Sequence, residues 1–421
     1  QGNLYSLQAE GPATLEMSAG KSDGDVDMTI GGPQALRIPL GHPPVVFSLP
    51  GSSDLVTKAL AHLTWKPGAV KYKTFDNGEI SVKVDQSVAN HDVFVVYARD
   101  DCESEVNFSM LRLMMLIDAL RGEAAYRITV ILPSLEYARQ DRRVVAGEAI
   151  PPKLWLNCMR TAGADRFLTC DLHNQAEAAF SPAGALLDEL SAVWEDLPST
   201  TNLGDEMICL LAHGEDDFLV CATNGGGMKF TRRMADELRT GFIMADRFRP
   251  KAGGPGEIKI IADSSSEKVK GIIIVDDMFD TCGSLAGVCE ALKVYAPEAR
   301  LFAIGTHGYF SGDAHVQIKK LVDTCGLEWL AVTNSIDQRG VLRRLDSINV
   351  RDRLMVVDIS RLLAGAIIRV HLGESVNLSR FRGLSPSVDD PVLAEAPFVP
   401  QQQYTHILNL KEATPRAIVF N

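Results

Sequence analysis

The chain predicts an α/β protein of two domains, each a mainly parallel sheet flanked by helices, with an irregular extension at either end. Three observations carry this expectation. From Val45 onward, short apolar runs alternate with amphipathic segments, the texture of strand–helix–strand units. That alternation comes in two series, separated by Pro182 to Asp216, where strand character is weaker and the chain is read as crossing between domains. Both ends lose the alternation: residues 1–44 are rich in Gly, Ser, Asp and Pro, and beyond about Arg380 the chain becomes a Pro-rich tail, SPSVDDPVLAEAPFVPQQQ. The expected division is an N-terminal extension over 1–44, a first domain over 45–186, a second over 187–380 and a C-terminal extension over 381–421.

In the first series, Val45 to Ser48, Val93 to Tyr97, Ile128 to Leu132 and Phe167 to Cys170 read as strands, with a helix over Asn107 to Arg121. The second series runs through Asp217 to Cys221, Gly241 to Met244, Gly271 to Asp276, Leu301 to Thr306 and Trp329 to Thr333. Ile272 to Val275 is uninterrupted apolar sequence, as a parallel strand covered on both faces requires. The helix expected after it covers Leu285 to Val294.

Composition narrows the function classes. A chain that is 46% hydrophobic and 23% charged can bury a large core, yet no window approaches the roughly 20 apolar residues of a membrane helix, so no membrane insertion is expected. A formal charge of −12 argues against nucleic-acid binding and leaves any phosphate ligand to local cations, backbone amides or a metal. The eight cysteines form no CxxC pair and are read as reduced structural thiols. The sequence opens on Gln1 with no hydrophobic signal segment, which suits a mature chain in the cytoplasm or, after loss of a presequence, in an organellar matrix.

The most informative stretch is GIIIVDDMFDTCGSL, Gly271 to Leu285. A buried strand delivers Asp276 and Asp277 to its carboxyl end, the edge at which open α/β sheets bind ligands. Asp280, Thr281, Cys282, Gly283 and Ser284 follow, combining hydroxyls, a flexible glycine and free N–H groups ahead of a helix. A phosphate can settle on those amides while the aspartates accept hydrogen bonds from sugar hydroxyls. An acid pair beside a phosphate loop points to a sugar phosphate.

The segment resembles the ribose-phosphate signature of phosphoribosyltransferases and, more closely, of phosphoribosyl pyrophosphate (PRPP) synthetases. Two longer stretches extend the likeness: MLRLMMLIDALRGEAAYRITVILPSLEYARQDRR, Met110 to Arg143, and GADRFLTCDLH, Gly163 to His173. With KTFDNGE at Lys73 to Glu79, THGYFSG at Thr306 to Gly312 and VVDISRLLAGAIIRVHLGESV at Val356 to Val376, the resemblance spans about Val45 to Val376. It implies two phosphoribosyltransferase-type domains, dimers that stack into larger oligomers, and transfer of pyrophosphate from Mg-ATP to ribose 5-phosphate for nucleotide biosynthesis.

Carried over residue by residue, the resemblance puts Phe75, Asn77 and Glu79 of a neighbouring subunit with Arg139, Gln140 and Asp141 at ATP. It puts His173 at a triphosphate oxygen or its magnesium, Asp276 and Asp277 on the ribose hydroxyls, and Asp280 to Ser284 around the 5-phosphate. The pyrophosphate loop is Asn224, Gly225 and Gly226, and Arg247 and Arg249 are the cations of the catalytic loop.

Two departures bear on activity. CATNGGG places neutral Asn224 where the family carries an aspartate, and ADRFRPKAGG places Arg247 where it carries a lysine, with Lys251 close by. Two readings follow: an active ribose-phosphate pyrophosphokinase, or a catalytically impaired homologue serving as a structural or regulatory subunit beside active paralogues.

Overall fold

The computed structural model describes residues 44–99, 106–190, 218–238, 240–248, 257–262 and 269–376. Both terminal extensions, Arg249 and Lys251 lie outside these residues. The first sheet contains β1 (Val45–Ser48), β4 (Asp92–Val96), β5 (Arg127–Leu132), β6 (Arg166–Cys170) and β7 (Leu186–Leu190), in that spatial order and parallel throughout. Between β1 and β4 the chain makes a separate antiparallel hairpin, β2 (Val70–Thr74) and β3 (Ile80–Val84).

The period-two alternation of a strand distributes the side chains of the first sheet between two cores. Val93, Val95, Val130 and Phe167 pack with α2 (Val106–Gly122) and α3 (Pro151–Ala162) on one face. Phe94, Val96, Ile131 and Leu168 pack on the other with α1 (Ser53–Leu63). Helix α3 starts with prolines at its first two positions, where their missing N–H groups cost nothing.

The second sheet has the spatial order β10 (Glu257–Ile261), β9 (Gly241–Phe248), β8 (Phe218–Ala222), β11 (Gly271–Phe279), β12 (Arg300–Gly308), β13 (Leu327–Thr333) and β14 (Leu354–Val357). Only the β9–β10 pair is antiparallel. One face buries Ile272, Ile274, Leu301 and Leu330 with α5 (Gly283–Tyr295), α6 (Ala314–Cys325) and α7 (Arg339–Asp346). The other buries Ile273, Val275, Phe302 and Trp329 with α4 (Met228–Leu238), the Phe302 and Trp329 rings lying 4.8 Å apart. Strand order reverses between β8 and β11, which leaves a crevice beyond their carboxyl ends.

The last helix, α8 (Ser360–Leu372), follows β14 of the second sheet but buries Leu363, Ile367 and Val370 against α1 of the first. The chain thus returns across the molecule. Thr306 Oγ1 donates to Asp171 Oδ2 at 2.7 Å, and Tyr309 and Ser134 share a hydroxyl bond of 2.6 Å, so the carboxyl ends of the two sheets face each other.

Strands β7, β10 and β14 and the hairpin go beyond the sequence reading. Leu186–Leu190 lies inside the segment read as a crossing and is instead the edge of the first sheet. Its LLDEL pattern carries two adjacent acids because Asp188 accepts from Arg166 Nε at 2.7 Å and Glu189 from the Leu172 N–H at 2.8 Å. Asp276 and Asp277, expected at the carboxyl end of a strand over Gly271 to Asp276, are within β11, which continues to Phe279.

Buried Ser52 closes the turn before α1: its Oγ donates to Ala98 O at 2.9 Å and accepts from Ala98 N at 2.7 Å. Ser52→Ala strands both groups and is expected to cost about 1–3 kcal/mol, measurable by urea unfolding. A change under a few tenths of a kcal/mol would mean that water takes over the hydroxyl's role.

Candidate functional site

The crevice is built where β8 stops short of its neighbour. Pairing between β8 and β11 ends at Val275 and Ala222, so the next residues of β11, Asp276 and Asp277, border the turn that follows β8. There Thr223 Oγ1 donates to Asp276 Oδ2 at 2.7 Å, and Asn224 Nδ2 donates to Thr223 Oγ1 at 3.1 Å. Asn224 Oδ1 accepts from the N–H groups of Gly226 and Gly227 at 2.8 and 3.2 Å, capping the short turn that Gly225, Gly226 and Gly227 make.

Asp277 reaches across to the first sheet. Its Oδ2 lies 2.6 Å from Nδ1 of His173, which follows β6. This contact raises the His173 pKa above its ordinary value, against burial that would lower it. For Asp277, burial opposes ionisation, but the His173 contact outweighs it and lowers the pKa. Asp276 is displaced upward by burial and by the neighbouring Asp277 charge. The two shifts run in opposite directions, favouring the anion at Asp277 and the protonated acid at Asp276. With Nδ1 on Asp277, Nε2 is the His173 nitrogen available to a phosphate oxygen.

Below the pair, β11 passes into the turn of Asp280, Thr281, Cys282, Gly283 and Ser284. Cys282 takes up a left-handed conformation, φ 59°, immediately before α5. This reorientation sets the first N–H groups of a 13-residue helix at the crevice, a ready anion cradle. The Cys282 thiol is buried and pushed up to about 12, so it packs the loop rather than reacting.

From the first sheet, the turn after β5 supplies Arg139, Gln140 and Asp141. Arg139 Nη1 donates to Asp280 Oδ2 at 2.7 Å, and Asn174 Nδ2 donates to Asp141 Oδ2 at 2.7 Å. One crevice thus joins Arg139, Asp141, His173, Asn224, Asp276, Asp277 and Asp280, drawn from both sheets.

Phe75, Asn77 and Glu79 are placed elsewhere. They form the exposed turn of the β2–β3 hairpin, closed by Phe75 N donating to Glu79 O at 2.8 Å and Glu79 N to Asn77 Oδ1 at 3.1 Å. No hydrogen bond or ion pair among the described residues joins them to the Arg139 cluster. Arg247 sits on β9 with its backbone opposite Ile258.

Four side chains escaped the sequence reading. Glu177 is wholly buried, and burial pushes it up to about 8 although His173 and the Asn174 backbone favour its anion. Arg99, Glu136 and Tyr309 form a cluster beside Arg139. A lone glutamate or tyrosine in a sequence carries no signal of burial.

Among the described residues, no group of three or more His, Cys, Asp or Glu side chains could hold a metal ion.

Comparison with known proteins shows what the chain is similar to. Residues 44–163 match the family model described as the N-terminal domain of ribose phosphate pyrophosphokinase, and residues 223–382 match the phosphoribosyl synthetase-associated domain. A ribose-phosphate pyrophosphokinase from Staphylococcus saprophyticus is 30% identical over 338 residues, which cover 79% of this chain and 95% of that protein. The crystal structure of phosphoribosylpyrophosphate synthetase from Mycobacterium smegmatis superposes with a TM-score of 0.65 at 28% identity, covering 78% of this chain and 99% of that one.

Proposed function

Because the chain belongs to the ribose-phosphate pyrophosphokinase family, we propose that it transfers the pyrophosphoryl group of Mg-ATP to ribose 5-phosphate, giving PRPP and AMP for nucleotide synthesis. The observation that supports this best is the Asp277–His173 pair, which brings a sugar-binding carboxylate and a phosphate-binding cation together from separate sheets.

In the proposed reaction the anomeric hydroxyl oxygen bonds to the β-phosphorus and releases its proton. The bond from that phosphorus to the oxygen bridging it to the α-phosphorus breaks, and AMP departs with the bridging oxygen. No protein nucleophile is required, so the residues act by alignment and charge. The 5-phosphate rests on the amides of Thr281 to Ser284 at the α5 N-terminus. Asp277, with Asp276, accepts hydrogen bonds from the ribose hydroxyls and fixes the ring.

His173 presents its cationic ring to the triphosphate, and Arg139 leaves Asp280 to take a phosphate oxygen or the adenine face. Magnesium supplies charge neutralisation at the triphosphate oxygens when bound. Arg247 and Arg249 carry further positive charge to the transferring group. Phe75, Asn77 and Glu79 complete the ATP site of a neighbouring subunit, which makes the working form an oligomer.

Asn224 is not the decisive departure. Its amide oxygen caps the glycine turn as a carboxylate would, and asparagine and aspartate cap equally well. AMP and PRPP formation from ATP, ribose 5-phosphate and magnesium is therefore expected in the unmodified protein, with Asn224→Asp changing the rate by less than about tenfold, or about 1.4 kcal/mol. An unmodified protein that is silent and is rescued by Asn224→Asp would instead identify a structural or regulatory subunit.

A further inference from the structure

The turn that carries His173 has an unusual backbone. Asp171, two residues before it, takes φ 33°, a left-handed conformation that is uncommon for a residue with a side chain and persists where the surroundings fix it. From the first sheet, β7 supplies two bonds: Asp171 N donates to Leu190 O at 2.9 Å, and Leu172 N donates to Glu189 Oε1 at 2.8 Å. Further bonds come from β12 of the second sheet. Thr306 Oγ1 donates to Asp171 Oδ2 at 2.7 Å, and His307 Nε2 lies 3.2 Å from Cys170 O and 3.3 Å from Asp171 O.

Carbonyl oxygens only accept, so Nε2 carries the His307 ring proton and donates to both. The other nitrogen, Nδ1, then accepts from Ser335 Oγ at 2.9 Å, a hydroxyl nearer to the ring than to Thr306 O at 3.3 Å. Thr333 Oγ1 donates to Thr306 O at 2.7 Å and accepts from Ser335 N at 3.1 Å. Thr306, His307, Thr333 and Ser335 are all buried, and a connected polar network in that setting specifies one arrangement. The register of β11 with β12 pairs Asp276 with Gly305 and Met278 with His307, which sets Thr306 beside Asp277. Neighbouring positions on two strands therefore take residues two apart in the same turn: Thr306 takes Asp171, and Asp277 takes His173.

We propose that Thr306 and His307 are positioning residues, which lock the Asp171 backbone so that His173 is set against Asp277. The consequence for rate rests on the proposed pyrophosphoryl transfer. The placement of the His173 ring does not, and it is measured separately.

Proton–nitrogen correlation spectra of the full-length protein carrying isotope-labelled histidine report that placement at one fixed pH, the His173 signal being the one lost in His173→Gln. Thr306→Val keeps the shape of the side chain and removes its donor, whereas Thr306→Ser keeps the donor. The His173 signal should move in Thr306→Val and stay in Thr306→Ser. A signal that stays in Thr306→Val, or that moves equally in both variants, overturns the proposal. The unmodified protein offers a check that needs no variant to fold: its His307 ring should carry the proton on Nε2, and a ring protonated on Nδ1 alone would mean that the two carbonyls are not held.

In the AMP-forming reaction, Thr306→Val should lower kcat per folded molecule by about tenfold or more while the KM for ribose 5-phosphate stays within about twofold, and Thr306→Ser should restore kcat. A variant that loses only thermal stability, with kcat per folded molecule unchanged, counts against positioning. An unmodified protein with no turnover counts against the proposed reaction instead, and the spectra alone then decide whether β12 sets His173.

Discussion

Asp277→Asn is expected to lower kcat/KM for ribose 5-phosphate by about a hundredfold or more, and to move the alkaline limb of the pH profile toward neutrality. Two losses combine. Burial and the Asp277 charge raise the Asp276 pKa whereas His173 lowers that of Asp277, so the substitution removes the more readily ionised of the two proposed acceptors for the ribose hydroxyls. It also removes the carboxylate that raises the His173 pKa, so the imidazolium loses its proton at a lower pH. In the unmodified protein the rate should fall as pH rises through the raised His173 value. In the variant the fall should begin near the ordinary histidine value of about 6.5.

The same pair contributes to folding stability in a definite window. The His173 share is complete below about pH 6.5 and is lost as pH rises through its raised folded value; the Asp277 share is present above about pH 3.9 and is lost as pH falls through its lowered one. Asp276→Asn provides the contrast, because an amide there resembles the protonated acid already present and should cost much less activity than Asp277→Asn. Equal losses in the two variants, or an alkaline limb that does not move, would mean that the charge is not where the geometry puts it.

Most of the sheet framework was legible because it depends on patterns local to each segment. Ile272 to Val275 announces a strand buried on both faces, and residues 272–275 do alternate between two cores. Leu186–Leu190 and Glu257–Ile261 were not legible: among the described residues they are the edges of their sheets, and their side chains include charged residues that break the apolar run of a central strand. For the crevice, sequence named candidate residues but not how they are connected.

His173 and Asp277 are 104 residues apart, and their contact exists only because the carboxyl ends of the two sheets face each other. Glu136 and Glu177 had no signal at all, since a charged side chain is read as solvent-facing unless its burial is known.

Asp92→Ala is expected to destabilise the fold by about 3–5 kcal/mol, the cost of leaving a buried charge without its partner. The wholly buried Asp92 carboxylate accepts from Arg127 Nε at 2.9 Å and from Arg127 Nη2 at 2.6 Å, and its Oδ2 lies 2.9 Å from His371 Nδ1. Arg127 Nη2 also donates to Val370 O at 2.7 Å. Asp92 and Arg127 open β4 and β5 and face each other across the ladder, whereas Val370 and His371 close α8. The cluster therefore fastens the returning helix to the first sheet. Because α8 follows β14 of the second sheet, this fastening also limits how far the carboxyl ends of the two sheets can separate. Urea unfolding measures the loss, and Asp92→Leu with Arg127→Leu should recover much of it, since removing both charges strands neither. A double variant no more stable than Asp92→Ala would mean that packing around α8, rather than the ion cluster, holds the helix. Proteolysis at the end of α8 should rise in the single variant and subside in the double one, because the terminal turn is where the cluster acts.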